Sequence, residues 1–165
     1  MKKLNTIFNI ISNENIILEE TNFNDNWSKG LYFKLPGIPP TIGIDKSIVT
    51  CSYKYISILA EELGHHFTTL GDLIEDSNSY AEELLKNKKE RIAKLWAADF
   101  LISDEEFVQA LHNCISTIPD MAEYFTVTED IIKYKILSIT LDELKYINIR
   151  NNFKAREIPY NACAI

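Results

Sequence analysis

An α+β fold, mainly helical with a small N-terminal β-sheet and C-terminal helices, follows from three features of the sequence. Short apolar runs, Ile16-Ile17-Leu18, Leu31-Tyr32-Phe33 and Ile42-Gly43-Ile44, are separated by Asn-rich, Gly and Pro turns and read as strands. From Cys51 onward, apolar residues recur at spacings of three and four, the pattern of amphipathic helices. A chain of 165 residues with 46% hydrophobic content is long enough to bury a real core in one domain, or one domain with an appendage.

The elements follow in order. The first twenty residues begin like a secretory signal, but Asn5, Asn9, Ser12 and Asn13 interrupt the apolar stretch and no small-residue cleavage site follows. An amphipathic helix with Leu4, Phe8 and Ile11 on its apolar side is expected instead. Pro36, Pro39 and Pro40 mark a loop between two of the strands. A helix from Cys51 to Thr68, a loop from Gly71 to Ser79 and a helix from Ala81 to Ile102 come next, and Ser103-Asp104 ends that helix and caps another. Ile118 to Thr128 resembles helix, turn, helix, with Pro119 in a first turn and Thr128 an N-cap. The expected division is 1–102, a core, and 103–165, a helical region packing on it.

Charge and cysteine content narrow the partners. Seventeen Lys and Arg against 24 Asp and Glu give a net charge of -7, which repels phosphate backbones and disfavours nucleic acid. No apolar run is long enough to span a bilayer, so a soluble protein without a membrane partner is expected. Cys51, Cys114 and Cys163 are odd in number and none is paired at a metal-knuckle spacing, which fits free thiols in a reducing cytoplasm.

The chemistry concentrates in Ala60-Glu61-Glu62-Leu63-Gly64-His65-His66-Phe67. On a helix, Ile56, Leu59, Ala60, Leu63 and Phe67 make one apolar stripe, and Glu61 and His65 lie on the opposite side, one turn apart. Such a pair is common on solvated helix faces, where it stabilises by only tenths of a kcal/mol. Ile58 shares this face, however, which suggests that it is covered. The alternative is HExxH logic, in which two ligands one turn apart hold one metal and the glutamate after the first acts as general base. Glu61, Glu62 and His65 fill those roles in order. Pairing Glu62 with His66 instead would put Leu63 where the base belongs.

A third ligand is required, and Glu90 is the candidate. It heads a stripe with Ala93, Ala97 and Leu101, and small residues below a carboxylate let another helix approach closely. Glu82 and Glu83 are alternative donors, and Lys86 and Lys94 offer Glu90 an ordinary helical ion pair.

With these residues in place, the chain resembles the ImmA/IrrE family of metallopeptidases, notably forms encoded beside repressors in phages and integrative elements of low-GC bacteria. The resemblance covers most of the chain and rests on G-L-Y-F, I-L-A-E-E-L-G-H-H-F-T-T-L-G-D-L-I-E, K-K-E-R-I-A-K-L-W-A-A-D-F-L-I-S and M-A-E-Y-F-T-V-T-E-D-I-I-K-Y-K-I-L. It implies a zincin-like, gluzincin-type core, a divalent metal, and a repressor protein as substrate, cleaved or otherwise relieved. By position it assigns the catalytic glutamate to Glu62, the second histidine to His65 and the downstream acidic ligand to Glu90. The first histidine of the family falls on Glu61, a departure. A second carboxylate ligand would leave the metal formally neutral and its water a weaker acid, and would make manganese or another ion more competitive with zinc. A slow peptidase of narrow specificity is the expected result, or, if the site has decayed, an anti-repressor acting by contact.

His66 is a candidate to orient a ligand or steady an oxyanion, or is simply packed; His112 has no companion and reads as structural. Tyr53, Tyr55 and Tyr80 are candidate proton donors to the oxyanion, Tyr53 first among them. The helix-turn-helix spacing after Asp120 does not make a DNA reader. Glu129 and Asp130 open the would-be recognition helix, and Lys133, Lys135 and Lys145 form no concentrated basic face.

Overall fold

The computed structural model describes residues 2–23, 29–69 and 80–155. In chain order these form α1 (Lys2–Asn13), β1 (Ile17–Thr21), β2 (Gly30–Phe33), β3 (Thr41–Asp45), a short 3-10 turn (Lys46–Ile48), α2 (Ser52–Thr68), α3 (Tyr80–Leu101), α4 (Asp104–His112), α5 (Ile118–Phe125), α6 (Glu129–Leu141) and α7 (Glu143–Lys154). The mainly helical α+β architecture read from the sequence is present, and each of the three apolar runs gives a strand. The loop expected from Gly71 to Ser79 lies outside the described residues.

Contacts divide the chain into two compact units, 1–97 and 98–165. The division falls inside α3, ahead of the expected 102/103 boundary. The last turn of α3 contributes Asp99 to an ion cluster with Asp104, Lys135 and Lys145, which ties that turn to the second unit.

In the first unit the sheet order is β1-β3-β2, with β1 parallel and β2 antiparallel to β3. The central strand Thr41–Asp45 is buried along its whole length, so it reads as continuous burial rather than alternation. The strand β3 packs against α2, and Ile42 and Ile44 of the strand and Leu59, Ala60 and Leu63 of the helix are all fully buried. In α1 the buried pair is Ile7 and Ile11, while Phe8 is turned outward. Both Leu4-Ile7-Ile11 and Leu4-Phe8-Ile11 are helical spacings, and packing selects the first.

The helices α2 and α3 meet at Gly64. A Cβ there would fall within 3.0 Å of the Ala93 backbone, and Ala93 and Ala97 are themselves fully buried. A glycine on one helix and alanines on the other therefore bring the two backbones together.

The second unit opens with a full capping box, in which the Ser103 hydroxyl accepts from the Glu106 N–H and the Glu106 carboxylate accepts from the Ser103 N–H. Pro119 lies in the first turn of α5, and Thr126 closes that helix with a left-handed φ of 56°. Thr128 is the N-cap of α6 by backbone geometry, without a side-chain hydrogen bond. Lys135 is 1% exposed; its Nζ lies 2.8 Å from Asp99 Oδ1 and 2.6 Å from Asp104 Oδ1. Lys145 joins the same cluster at 2.6 Å from Asp99 Oδ1 and 2.6 Å from Ser138 Oγ.

The cysteines do not all match expectation. Cys51 is a half-buried free thiol, but Cys114 is disulfide-bonded, because folding can join cysteines that sequence spacing leaves apart. Cys163 lies outside the described residues. Among the described residues, no helix is long and apolar enough to cross a membrane.

Candidate active site

The site residues lie on the C-terminal half of α2 and on α3, within the first unit. Glu62 and His65 are buried, at 8% and 4% exposure, while Glu61 and His66 are half-buried. The apolar stripe expected to end at Phe67 ends at Leu63. Phe67 is half-exposed and stacks on Trp96 of α3, ring centroids 5.1 Å apart.

Burial of Glu62 originates in β2. Gly30 faces α2 so closely that a Cβ on it would fall inside 3.0 Å of Glu62 Oε1 and of Ile58 Cγ2. The backbone N–H of Tyr32, two residues along the same strand, donates to the Glu62 carboxylate. Burial pushes the Glu62 pKa up to about 8, with Glu61 and then Glu90 adding to the rise; the Tyr32 N–H and, last, Lys94 oppose it.

His65 connects the two helices. Its Nε2 lies 3.5 Å from Glu90 Oε1, and its Nδ1 lies 3.4 Å from the hydroxyl of Thr69, the residue that ends α2. The hydrogen bond with His65 holds the Glu90 carboxyl below the usual range, against partial burial that would raise it. The structure thus brings His65 and Glu90 together, with Glu62 buried beside Glu61 and Glu90.

The remaining candidates sit elsewhere. His66 Nδ1 lies 3.0 Å from the Tyr32 hydroxyl and its Nε2 lies 3.5 Å from Glu14 Oε2. Tyr53, at 42% exposure, lies beside Cys51 and under the Lys54 amine. It is about 12 Å along the helix axis from Glu61. Tyr55 donates to Glu20 Oε1 at 3.0 Å, and burial with that contact pushes its pKa up to about 12. Tyr80 is 76% exposed. His112 stacks on Phe153 in the second unit, centroids 5.0 Å apart.

Sequence reasoning missed Gly30, Tyr32, Glu14 and Thr69. The signal for two of them was in Gly30-Leu31-Tyr32-Phe33, where strand alternation places Gly30 and Tyr32 on one face.

Whether these residues suit a divalent metal can be tested on geometry and charge. A tetrahedron drawn with zinc–ligand bonds of about 2.0–2.2 Å has an edge of about 3.4 Å. The 3.5 Å between His65 Nε2 and Glu90 Oε1 fits two of its corners. Thr69 on the other ring nitrogen suits a ligand held in one orientation. Three glutamates close enough to influence one another also favour a cation among them. Among the described residues, however, no three His, Cys, Asp or Glu side chains gather closely enough to enclose one. The pair fits; Glu61 is not drawn in with it.

A family model described as the IrrE N-terminal-like domain, of a peptidase family, matches residues 13–137, which include every residue of this site. No curated protein and no solved structure matches the chain.

Proposed function

The chain belongs to the IrrE N-terminal-like peptidase family, and on that premise we propose that its first unit is a zincin-like core that cleaves a DNA-binding repressor protein. The observation that carries this reading is the 3.5 Å approach of His65 Nε2 to Glu90 Oε1 beside the buried Glu62. His65, Glu90 and Glu61 would hold one divalent metal, zinc first, with manganese competitive because Glu61 adds a hard oxygen donor. When bound, the metal supplies Lewis acidity to the reaction.

Glu62 is the general base. It takes a proton from the attacking water as the oxygen–carbon bond forms, and returns a proton to the amine as the carbon–nitrogen bond breaks. Ile58 and β2 shield its carboxylate from bulk water, and the Tyr32 N–H fixes its orientation. A second carboxylate ligand makes for a slow enzyme of narrow specificity. Direct DNA binding is not part of the reading. In the second unit Lys135 and Lys145 are committed to Asp99 and Asp104, and Lys133 pairs with Asp130.

The test is incubation with the repressor encoded beside this chain, with and without chelator. A discrete fragment, lost with chelator and in Glu62→Gln, supports the enzyme. A second reading, relief of the repressor by binding alone, draws on Glu61 standing outside the His65–Glu90 pair. Loss of DNA binding by the repressor without fragments, insensitive to chelator, would favour it.

A further inference from the structure

Resting on the peptidase reading above, we propose that Tyr32, His66 and Glu14 form a positioning triad that holds β2 against α2 and thereby fixes the Glu62 carboxylate. Three elements converge here. Glu14 follows α1, His66 lies on α2 and Tyr32 lies on β2, joined by contacts of 3.5 Å (Glu14 Oε2 to His66 Nε2) and 3.0 Å (His66 Nδ1 to the Tyr32 hydroxyl). From Tyr32 the connection passes through its own backbone, whose N–H donates to Glu62.

The triad has a direction. A neutral imidazole carries one proton, and the carboxylate at Nε2 draws it there, leaving the Nδ1 lone pair to accept the Tyr32 O–H. Tyr32 is 5% exposed and the His66 side chain 9%, so deleting either partner leaves a buried polar atom unsatisfied. The His66 ring is also wedged edge-on between Tyr32 and Phe67, with centroids at 5.6 Å and 4.9 Å, so it cannot swing to another partner.

Together with Gly30 this makes a two-sided restraint. Contact of Gly30 with Glu62 and Ile58 stops β2 from moving closer to α2, and the triad stops it from moving away. Glu62 receives its backbone donor from the residue the triad anchors. The three side chains act through Glu62 rather than on the substrate.

The test uses the full chain and the variants Tyr32→Phe, His66→Ala, Glu14→Ala and Glu14→Gln. Hydrogen exchange at the Tyr32 amide is read alongside global unfolding and repressor cleavage. Tyr32→Phe and His66→Ala should speed Tyr32 amide exchange about tenfold or more while leaving global unfolding in place. They should lower kcat by roughly 10- to 100-fold with KM little changed. Glu14→Gln, which keeps an acceptor for His66, should stay near wild type while Glu14→Ala follows the other two. Unchanged Tyr32 exchange in Tyr32→Phe, an isosteric change that folds even if His66→Ala does not, overturns the triad. So does a rate loss that only follows loss of global stability. If the wild-type chain cuts no repressor, the peptidase reading fails separately, and amide exchange alone still decides whether the triad holds β2 on Glu62.

Discussion

Replacing Gly64 by alanine sets two effects of known size against each other. Inside a helix the change is favourable by about 0.8–1.0 kcal/mol through backbone propensity. Here the new Cβ would lie no farther than 3.0 Å from the carbonyl oxygen, carbonyl carbon and Cα of Ala93. Those are backbone atoms of another helix, which cannot rotate aside as a side chain would, so α2 and α3 must separate. Overpacking of this kind costs about 1–3 kcal/mol, so it outweighs the propensity gain and leaves a net loss of roughly 1 kcal/mol. For a chain of this size that is about 2–4 °C in Tm. Separation also reaches the site, because His65 follows Gly64 and Glu90 precedes Ala93 by one turn. The 3.5 Å His65–Glu90 approach should widen, and zinc affinity should fall about tenfold. Urea denaturation followed by circular dichroism, with zinc uptake measured against a chromophoric chelator, reads both effects. A variant stabilised by about 1 kcal/mol with zinc affinity unchanged would refute the close approach as the determinant of the pair.

Gly30→Ala should strike the site directly: its Cβ meets both the Glu62 carboxylate and Ile58 Cγ2, so overpacking should cost about 1–3 kcal/mol in urea denaturation, and displacement of that carboxylate should cut cleavage about 100-fold, measured as initial rate. Lys135→Met removes a buried ammonium from between two carboxylates; breaking such a pair costs about 3–5 kcal/mol when fully buried, but Asp99 and Asp104 are 39% and 33% exposed, so roughly 2 kcal/mol is expected in chemical denaturation. A loss below about 0.5 kcal/mol would place that cluster among ordinary surface ion pairs. Acid provides a further check through Asp99, whose pKa is lowered because hydrogen bonds from Lys135, Lys145 and Ser138 outweigh the raising effect of its burial. A depressed carboxyl contributes stability above its unfolded value and loses it as pH falls through the folded one, so hydrogen-exchange protection of α6 should decline below about pH 4. Asp99→Asn should flatten that decline.

How much was legible in the sequence depended on whether a feature was local. Helix positions, the Ser103 cap and the three strands are set by neighbouring residues, and they appear where spacing and capping residues placed them. The His65–Glu90 approach was also readable, because the small residues on α3 announced a close helix contact, although the matching Gly64 went unremarked. Burial of Glu62 was not readable, since it is imposed by Gly30 and Tyr32 on a strand some thirty residues earlier. The burial of Lys135 was hidden for the same reason. Its partners, Asp99 at the end of α3 and Asp104 at the start of α4, become neighbours only when α6 folds against that corner. In α1 two helical faces were equally consistent with the spacing, and only packing distinguished Ile7 from Phe8.

Two carboxylates of this chain, Asp99 and Glu62, reach opposite electrostatic outcomes. In the second unit, Asp99 and Asp104 surround the Lys135 ammonium with Lys145 alongside, and the Asp99 pKa falls despite burial. In the first unit, Glu62 feels the charges of Glu61 and Glu90. There Lys94 is the weakest of the influences on Glu62, and its pKa rises to about 8. The difference is not burial, which raises both, but that Asp99 accepts hydrogen bonds from two lysines while Glu62 accepts one from a backbone N–H and feels two neighbouring carboxylates. A histidine held at ligand spacing from Glu90, beside a buried glutamate whose neighbours are also acidic, is the pattern expected where a cation from outside the chain completes the site. If Glu61 is the third ligand beside His65 and Glu90, zinc titration of Glu61→Gln against Glu61→Ala shows it. Both should bind more weakly than wild type, and equal affinity in all three proteins would leave Glu61 outside the site.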